Sequence, residues 1–151
     1  MKVLKLVLIS VIAFFLLMLA FSLLIPSHIR VSRAIHIEGE RQKLIPLINS
    51  VAGWEQWNSL AASKTGSLSI SSVSDSLVKT VFKTKNQSID NGLAVYEIRP
   101  GTLTVQWYID FHLPWYPWEK FGGILYDKQF GPVMEQDLKK LSQLVNSSIH
   151  Q

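Results

Sequence analysis

The sequence predicts an α+β domain, an antiparallel sheet covered by a long carboxyl-terminal helix, behind one apolar amino-terminal helix. Three observations lead to this expectation. Of the first 25 residues 21 are apolar, against 51 of the remaining 126. The middle of the chain consists of short Ser-, Thr-, Val- and Ile-rich runs between turn residues, which is typical of strands. The stretch after Pro132 carries apolar residues at helical spacing.

Composition limits the functions open to this chain. Its 151 residues allow one domain large enough to bury a core. Because the chain has no cysteine, disulfides, thiolate metal sites and a cysteine nucleophile are excluded. The formal charge is +4, yet from Pro26 onward 13 basic residues stand against 11 acidic ones. The basic and acidic residues of this part are too evenly balanced for an electrostatic nucleic-acid interface, and we expect no nucleic-acid partner.

The apolar amino-terminal segment is predicted to anchor the protein in a membrane. Residues 6–25 form a run of 20 without a charge. As a helix this run rises about 30 Å, the hydrocarbon thickness of a bilayer. The alternative is a cleaved signal peptide, since Lys2 and Lys5 precede the run and Ala20-Phe21-Ser22 weakly imitates a cleavage site. We therefore expect an anchor or signal peptide over 1–26 and one soluble domain over 27–151.

The charges beside the apolar run bear on the localisation. The short amino end carries Lys2 and Lys5, and Arg30 and Arg33 follow the run. Short basic amino ends usually stay in the cytoplasm. The expectation is a single-pass membrane protein whose soluble domain faces the periplasm or the exterior.

The soluble domain begins with a strand and a helical region. Residues 29–37 alternate, so that Val31 and Ile35 share one face, which predicts a half-buried strand. Residues 40–49 have helical spacing, with Pro46 inside, where proline kinks a helix or delays its start. Trp54 and Trp57, three residues apart, lie on one side of a short helical turn.

The middle of the chain predicts strands over 68–73, 77–83, 93–99 and 102–113, with a turn at Asn91-Gly92. The last of them alternates strictly between apolar and polar residues and is the clearest strand in the sequence. Because only Pro100-Gly101 separates it from the strand before, we expect these two strands to form an antiparallel hairpin.

The carboxyl-terminal region is predicted to be helical. Gly131-Pro132 divides it, and because proline is favoured at a first helical position, the final helix is expected to begin near Pro132. Its apolar stripe repeats at i, i+4, i+7 and i+11: Met134, Leu138, Leu141 and Val145. The sheet is the only apolar surface that this stripe can cover, so the helix should lie across it.

Taken in order, these elements resemble a known family. The stretch from Ile25 to Leu60 resembles the opening of START-like (SRPBCC, polyketide-cyclase/dehydrase-like) proteins. Its matching positions are Val31, Arg33, Ile35, Ile37, Ile48, Trp54 and Trp57. Residues 104–107 (TVQW) look like the family's late Val-x-Trp strand, and residues 131–145 resemble its terminal helix. Bacterial members with one hydrophobic helix before the first strand are similar to this chain as well.

The resemblance implies a helix-grip fold, in which a sheet curves around the terminal helix and leaves an apolar cavity. About five strands are readable here, where the family commonly has six or seven, so the cavity should be smaller or absent. Eight residues are candidates for its lining: Trp54, Trp57, Val95, Glu97, Trp107, Phe111, Trp115 and Trp118. Four aromatic members fit an ordinary core first and a ligand-binding wall second: Trp54, Trp57, Trp107 and Phe111.

Two of these candidate groups allow more than one interpretation. Glu97 shares a strand face with Val95 and would anchor a polar ligand group inside a cavity, unless Tyr96 and Ile98 face inward and leave Glu97 in solvent. The segment 114–118 (PWYPW), with Trp115 and Trp118, is a plug at the end of the core, a gate to the cavity, or a group dipping into the lipid interface.

No catalytic constellation is readable in the sequence. The four histidines show no metal-binding spacing, and there is no nucleophile elbow or phosphate-binding glycine loop. We expect no metal and no cofactor. The leading hypothesis is non-enzymatic binding of an apolar small molecule or lipid beside the membrane. The alternatives are a cyclase- or dehydratase-like enzyme that uses Glu97 or the Asp110–His112 pair, and a domain without a cavity that binds another protein.

Overall fold

The computed structural model describes residues 2–85 and 87–147. His150 and the expected end of the domain at residue 151 lie outside this range. The helices of the described chain are α1 (Lys2–Leu24), α2 (Arg41–Ile48), α3 (Val51–Trp57), α4 (Ser59–Ala62), α5 (Pro117–Gly123) and α6 (Tyr126–Ser147). The strands are β1 (His28–Glu38), β2 (Ser67–Val73), β3 (Leu77–Lys83), β4 (Ser88–Arg99) and β5 (Thr102–His112).

The five strands form one antiparallel sheet in the order β1-β5-β4-β3-β2. Strand β1 pairs with β5 along its whole length, from His28 opposite His112 to Glu38 opposite Thr102. The predicted hairpin of β4 and β5 is confirmed, and its turn contains Gly101 with a φ of +80°, a conformation that favours glycine. With helices against one face of the sheet, the predicted α+β architecture is confirmed.

The alternation of β5 fixes which sheet face holds the core. Its residues are alternately buried and partly exposed from Thr102 to Phe111. The buried ones face the helices: Leu103, Val105, Trp107, Ile109 and Phe111. We call this the inner face of the sheet. The inner positions of β3 and β4 follow from their pairing with β5.

Strand β4 begins earlier than the sequence suggests. The predicted turn at Asn91-Gly92 is wrong, because both residues lie inside β4 and are buried. The ring of Tyr108, opposite Gly92 on β5, lies across the glycine, where an added Cβ would meet the ring within 2.4 Å. A contact between strands therefore overrides the local turn preference of an Asn-Gly pair.

Helix α6 also begins earlier than expected, at Tyr126, and Pro132 lies inside it. Proline removes one helical hydrogen bond, but here burial on both sides of it maintains the helix. Before the proline, Phe130 packs 4.8 Å from the ring of Phe111, and after it Met134 and Leu138 are each 1% exposed. The predicted placement of the terminal helix against the sheet is confirmed, and its largest contact is with β1.

An ion-pair cluster fixes α6 on β1. The guanidinium of Arg33 donates to Glu135 at 2.9 Å and to both carboxylate oxygens of Asp127 at 2.9 and 3.2 Å. Gly131 lies between these two acids, and a Cβ there would come within 2.2 Å of the guanidinium. The hydrogen bonds from Arg33 hold the pKa of Asp127 below its ordinary value. We refer to Arg33, Asp127, Gly131 and Glu135 as the α6 clamp.

The amino-terminal helix α1 is joined to the domain through α5. Residues Lys2–Leu24 are long and apolar enough to cross a membrane, as judged by length and composition. The ammonium of Lys120 in α5 donates to the backbone oxygens of Ser22 and Ile25 at 3.1 and 3.0 Å. These carbonyls stand at the end of α1 and just beyond it, and the Ser22 oxygen also accepts from the Ile25 N–H at 3.2 Å. Lys120 thus caps α1.

Candidate functional site

The interior between the inner face and the helices is occupied by three tryptophans. Trp54, Trp57 and Trp107 are each at most 1% exposed. The rings of Trp54 and Trp57 on α3 stand edge-on to the ring of Trp107, at centroid distances of 6.5 and 5.6 Å. Their own centroids are 4.7 Å apart. Edge-to-face packing of this kind is favourable and fills the volume beneath α3.

The indole nitrogens of these tryptophans differ in their partners. Trp54 donates to the backbone oxygen of Ile48 at 2.6 Å, and Trp57 donates to that of Leu47 at 3.1 Å. Both bonds join α3 to the end of α2. In the described part of the chain, the Nε1 of Trp107 has no hydrogen-bond partner.

Two further buried polar groups continue from Trp107 across the inner face. Thr80 on β3 is 1% exposed and Asn91 on β4 is 3% exposed, and they are register partners. Trp107 pairs with Leu93, one inner position along β4 from Asn91. Within residues 2–85 and 87–147, the Thr80 hydroxyl and the Asn91 Oδ1 are unpartnered, while the Asn91 amide donates to Ile89. We call Thr80, Asn91 and Trp107 the polar row.

The polar row has a defined chemistry. Trp107 offers one donor, Asn91 one acceptor, and the Thr80 hydroxyl serves as either. A buried polar group without a partner costs about 1–3 kcal/mol, so three of them on neighbouring strands make an unusual core. Such a row suits a neutral group that both donates and accepts hydrogen bonds, such as a hydroxyl or an amide.

Two small cavities open at opposite ends of the inner face. One, of about 180 Å³, lies between α2 and the β2–β3 turn, with Leu44, Ile48 and Val95 in its wall. The other, of about 20 Å³, lies between the start of β4 and the end of β5, against Phe111 and Tyr126. Drug-sized ligands occupy cavities of about 300–1,000 Å³, so either opening must widen to admit one.

Solved structures with the same arrangement identify the fold. A START superfamily protein from Mycobacterium smegmatis superposes with a TM-score of 0.53 over 80% of this chain and 98% of its own, at 13% identity. A protein of unknown function from Staphylococcus aureus gives a TM-score of 0.62 at 12% identity, over 82% of this chain and 97% of its own. This chain has the START-like helix-grip fold.

The Zhui aromatase/cyclase from a Streptomyces species is another structural neighbour, with a TM-score of 0.52 at 7% identity over 81% of this chain and 96% of its own. No family model and no curated protein matches the sequence. At such identities the likeness concerns the fold alone. The resemblance seen in the sequence is thereby confirmed as a START-like fold.

The START-like interior brings together five of the eight predicted cavity residues. Trp54, Trp57, Trp107, Val95 and Phe111 are all buried in one core. Val95 lies at the 180 Å³ opening and Phe111 at the 20 Å³ opening. The three tryptophans fill the space between them.

Glu97 lies outside that interior. It follows Val95 on the same strand face, and Val95 is 3% exposed whereas Glu97 is exposed. Tyr96 and Ile98 are 53% and 59% exposed, so the idea that they face inward is wrong. The end of β4 extends past the helices, and both of its faces there meet solvent.

Trp115 and Trp118 also lie outside the START-like interior. They are 68% and 62% exposed, so the interpretation of the segment as a buried plug is wrong. Their rings contact Tyr116: Trp115 is tilted by 40° at 4.9 Å and Trp118 is stacked at 5.2 Å between centroids. Pro114 precedes a bend at Trp115, and Pro117, which is buried, begins α5.

The proposed acid–base pair lies on the outer face of the sheet. Asp110 accepts two hydrogen bonds of 2.7 Å from Arg30, and this contact raises the pKa of the arginine. The guanidinium also stands 4.2 Å above the Tyr108 ring. His112 packs edge-on against His28, 4.5 Å between ring centroids. Asp110 is thus held by two charge-assisted hydrogen bonds from an arginine.

Residues 2–85 and 87–147 contain no group of three or more His, Asp or Glu side chains placed to hold a metal ion. The carboxylate of Asp137 on α6 is fully buried, but Ser59 satisfies it with donors from its backbone and its hydroxyl at 2.8 and 2.5 Å. This buried acid therefore ties α6 to the start of α4.

Sequence reasoning missed Thr80 and Asn91. The signal for Thr80 was its place between Val78 and Phe82, where alternation puts a polar residue on a buried face. Asn91 was hidden by Gly92, because Asn-Gly is a strong turn signal. Trp107 was identified, but no pattern in a single sequence distinguishes an indole with a hydrogen-bond partner from one without.

Proposed function

We propose that this protein is a membrane-tethered START-like domain that binds a small apolar molecule or lipid in its interior, without catalysis. The ligand carries one uncharged hydroxyl or amide group. The polar row of Thr80, Asn91 and Trp107 is the observation that carries this proposal. An unpartnered donor, an unpartnered acceptor and a hydroxyl lie on three neighbouring strands, and such a group would supply hydrogen bonds that they lack.

The walls around the polar row favour an apolar body for the ligand. The inner positions beside it are Leu93 and Val78 on one side and Phe82 and Ile89 on the other, all at most 8% exposed. Burial of apolar surface contributes about 25 cal/mol per Å² without demanding a particular shape. Discrimination between ligands would therefore come from the polar row.

Entry requires a movement of the helices. The 180 Å³ opening lies between α2 and Val95, and its lining includes no tryptophan. The two indole hydrogen bonds from α3 to the end of α2 hold these helices together as one unit. A ligand would therefore enter as α2 and α3 move together away from the sheet. This movement exposes the polar row without breaking the sheet.

The tether in this proposal is α1. An uncharged run of this length spans a bilayer, and the short basic amino end favours the cytoplasm. The START-like domain would then stand on the periplasmic or exterior side. A binding domain held there meets membrane lipids and apolar molecules at a high local concentration.

Native mass spectrometry of the full chain, purified with its surrounding lipid in nanodiscs, tests the binding. Wild-type protein should release a bound compound, and Trp107→Phe should release much less because it lacks the indole donor. Trp57→Phe is the matched control, since it also shortens a buried ring but removes a donor bound to Leu47. Equal retention by both variants, or no compound in the wild type, would refute ligand binding at the polar row.

The tight interior favours one other function, the binding of another protein by a START-like domain without a ligand. Its specific support is the tryptophan packing in the interior, together with the small volumes of the openings beside Val95 and Phe111, 180 and 20 Å³. Absence of any compound in the nanodisc experiment would favour it. The enzyme alternative lacks such support, because Glu97, Asp110 and His112 all stand outside the interior.

A further inference from the structure

The segment between β5 and α6 carries an exposed apolar surface. We define the aromatic patch by its exposed members: Trp115 (68%), Tyr116 (39%), Trp118 (62%), Ile124 (60%) and Leu125 (58%). Large side chains exposed together in this way mark an interaction surface more often than chance. Tyr116 and Trp118 are stacked with an angle of 7° between their ring planes, and both side chains remain exposed.

The aromatic patch is fixed to the end of α1. Lys120 lies in α5 between the aromatic residues and Ile124, is 7% exposed, and donates to Ser22 and Ile25. The packing of Gly123 also holds α5 in this place, since an added Cβ there would lie 2.4 Å from the side chain of Leu113 and 2.7 Å from that of Ile29.

This connection sets the depth of the patch relative to a bilayer. If residues 6–25 cross the hydrocarbon, Ser22 and Ile25 lie at its far boundary, since the run rises about 30 Å. Lys120 touches both residues, so α5 lies at that boundary too. Tryptophan and tyrosine are enriched at this level, where their rings sit among the lipid headgroups.

We propose that the aromatic patch is inserted in the lipid interface beside α1 and holds the START-like domain against the bilayer in one orientation. This inference rests on the tether of the proposed function, but not on ligand binding. The lipid surface is the partner that the continuity with α1 favours. With the patch in the interface, β1 rises away from the membrane, so the 20 Å³ opening faces the bilayer and the 180 Å³ opening faces away from it.

Site-directed nitroxide labels test the inference, because the chain has no cysteine to interfere. Full-length protein carrying Trp118→Cys or Leu125→Cys is labelled and placed in nanodiscs of equal parts phosphatidylethanolamine and phosphatidylglycerol. Asp75→Cys, exposed on the β2–β3 turn, is the control. Collisions with oxygen should exceed those with a water-soluble nickel chelate at 118 and 125, and the ratio should reverse at 75.

A second variant separates docking from tethering. In the Leu125→Cys protein, the pair Trp115→Ser and Trp118→Ser should raise the nickel collision rate at the label, while the protein stays in the membrane after carbonate extraction. Water-like accessibility of residues 118 and 125 in the tethered protein would overturn the inference and leave the patch to a protein partner. Release by carbonate would overturn both the tether and the docking. Absence of a bound compound in native mass spectrometry, with the labels still in the lipid interface, would refute the proposed ligand binding and support the docking on its own.

Discussion

Replacing Thr80 with valine is expected to make the folded protein more stable, by about 1–3 kcal/mol. Valine keeps the branched shape of threonine and its preference for strands, and changes the hydroxyl to a methyl. The hydroxyl is 1% exposed and unpartnered in the described chain, so its desolvation is uncompensated. Removing it relieves this cost without creating a cavity.

The measurement is thermal unfolding of full-length protein in detergent micelles, followed by near-ultraviolet circular dichroism of the buried tryptophans. In a domain of this size 1 kcal/mol shifts the Tm by about 4 °C, so the variant should melt at least that much higher. The amount of compound bound per protein molecule should be lower in the Thr80→Val sample than in the wild type. A substitution that raises stability and lowers ligand binding is the result expected where a binding residue destabilises the ligand-free protein.

The control for this prediction is Ser59→Ala. This hydroxyl donates to the buried Asp137 carboxylate at 2.5 Å, so its loss should destabilise the protein by about 1–3 kcal/mol. If Thr80→Val melts at or below the wild-type temperature, the hydroxyl has a partner in the folded protein. The polar row would then be a satisfied part of the core, and the reasoning from it would fail.

Three further changes probe the framework of the fold. Asp127→Asn should cost stability above pH 5 and nothing at low pH. The Arg33 bond holds the pKa of Asp127 below its ordinary value of about 3.9, so the stabilisation is present above that value and is lost as the pH falls through the folded pKa. Urea unfolding at several pH values would measure this loss. Gly92→Ala should cost about 1–3 kcal/mol by displacing the Tyr108 ring, and a cost that persists unchanged in a Tyr108→Ser background would contradict this cause. Asp137→Asn should lower the Tm by about 10 °C, since one amide oxygen replaces two buried acceptors, and an unchanged melting curve would disprove the tie between α6 and α4.

The elements that the sequence predicted correctly are those whose apolar residues repeat with the period of a strand or a helix, so that the buried face could be identified from the sequence. Strand β5 alternates because one of its faces is covered and the other is not, so its inner residues could be read directly. Trp54 and Trp57 were recognisable because residues three apart share a helical face, and both are buried in α3. The START-like fold followed from the order of such elements.

The errors arose where a distant contact overrides a local preference. Asn91-Gly92 reads as a turn, but the Tyr108 ring needs a glycine beneath it in mid-strand. Pro132 reads as a helix start, but packing on either side carries α6 through it. Trp115 and Trp118 allowed a plug, a gate or a group in the lipid interface, and the contact of Lys120 with the end of α1, far away in sequence, is part of what places them outside the core. None of these partners is close in sequence.

The α6 clamp allows this helix only one position along the sheet. A slide by one turn, about 5.4 Å, would bring either Asp127 or Glu135 to the place of Gly131. A carboxylate side chain would then occupy the space in which the Arg33 guanidinium rests against bare backbone. The helix can therefore tilt about this point but not translate along its own axis. Movement of α6 is therefore a tilt, smallest at Gly131 and greatest at its two ends, and any wider opening of the interior is left to α2 and α3.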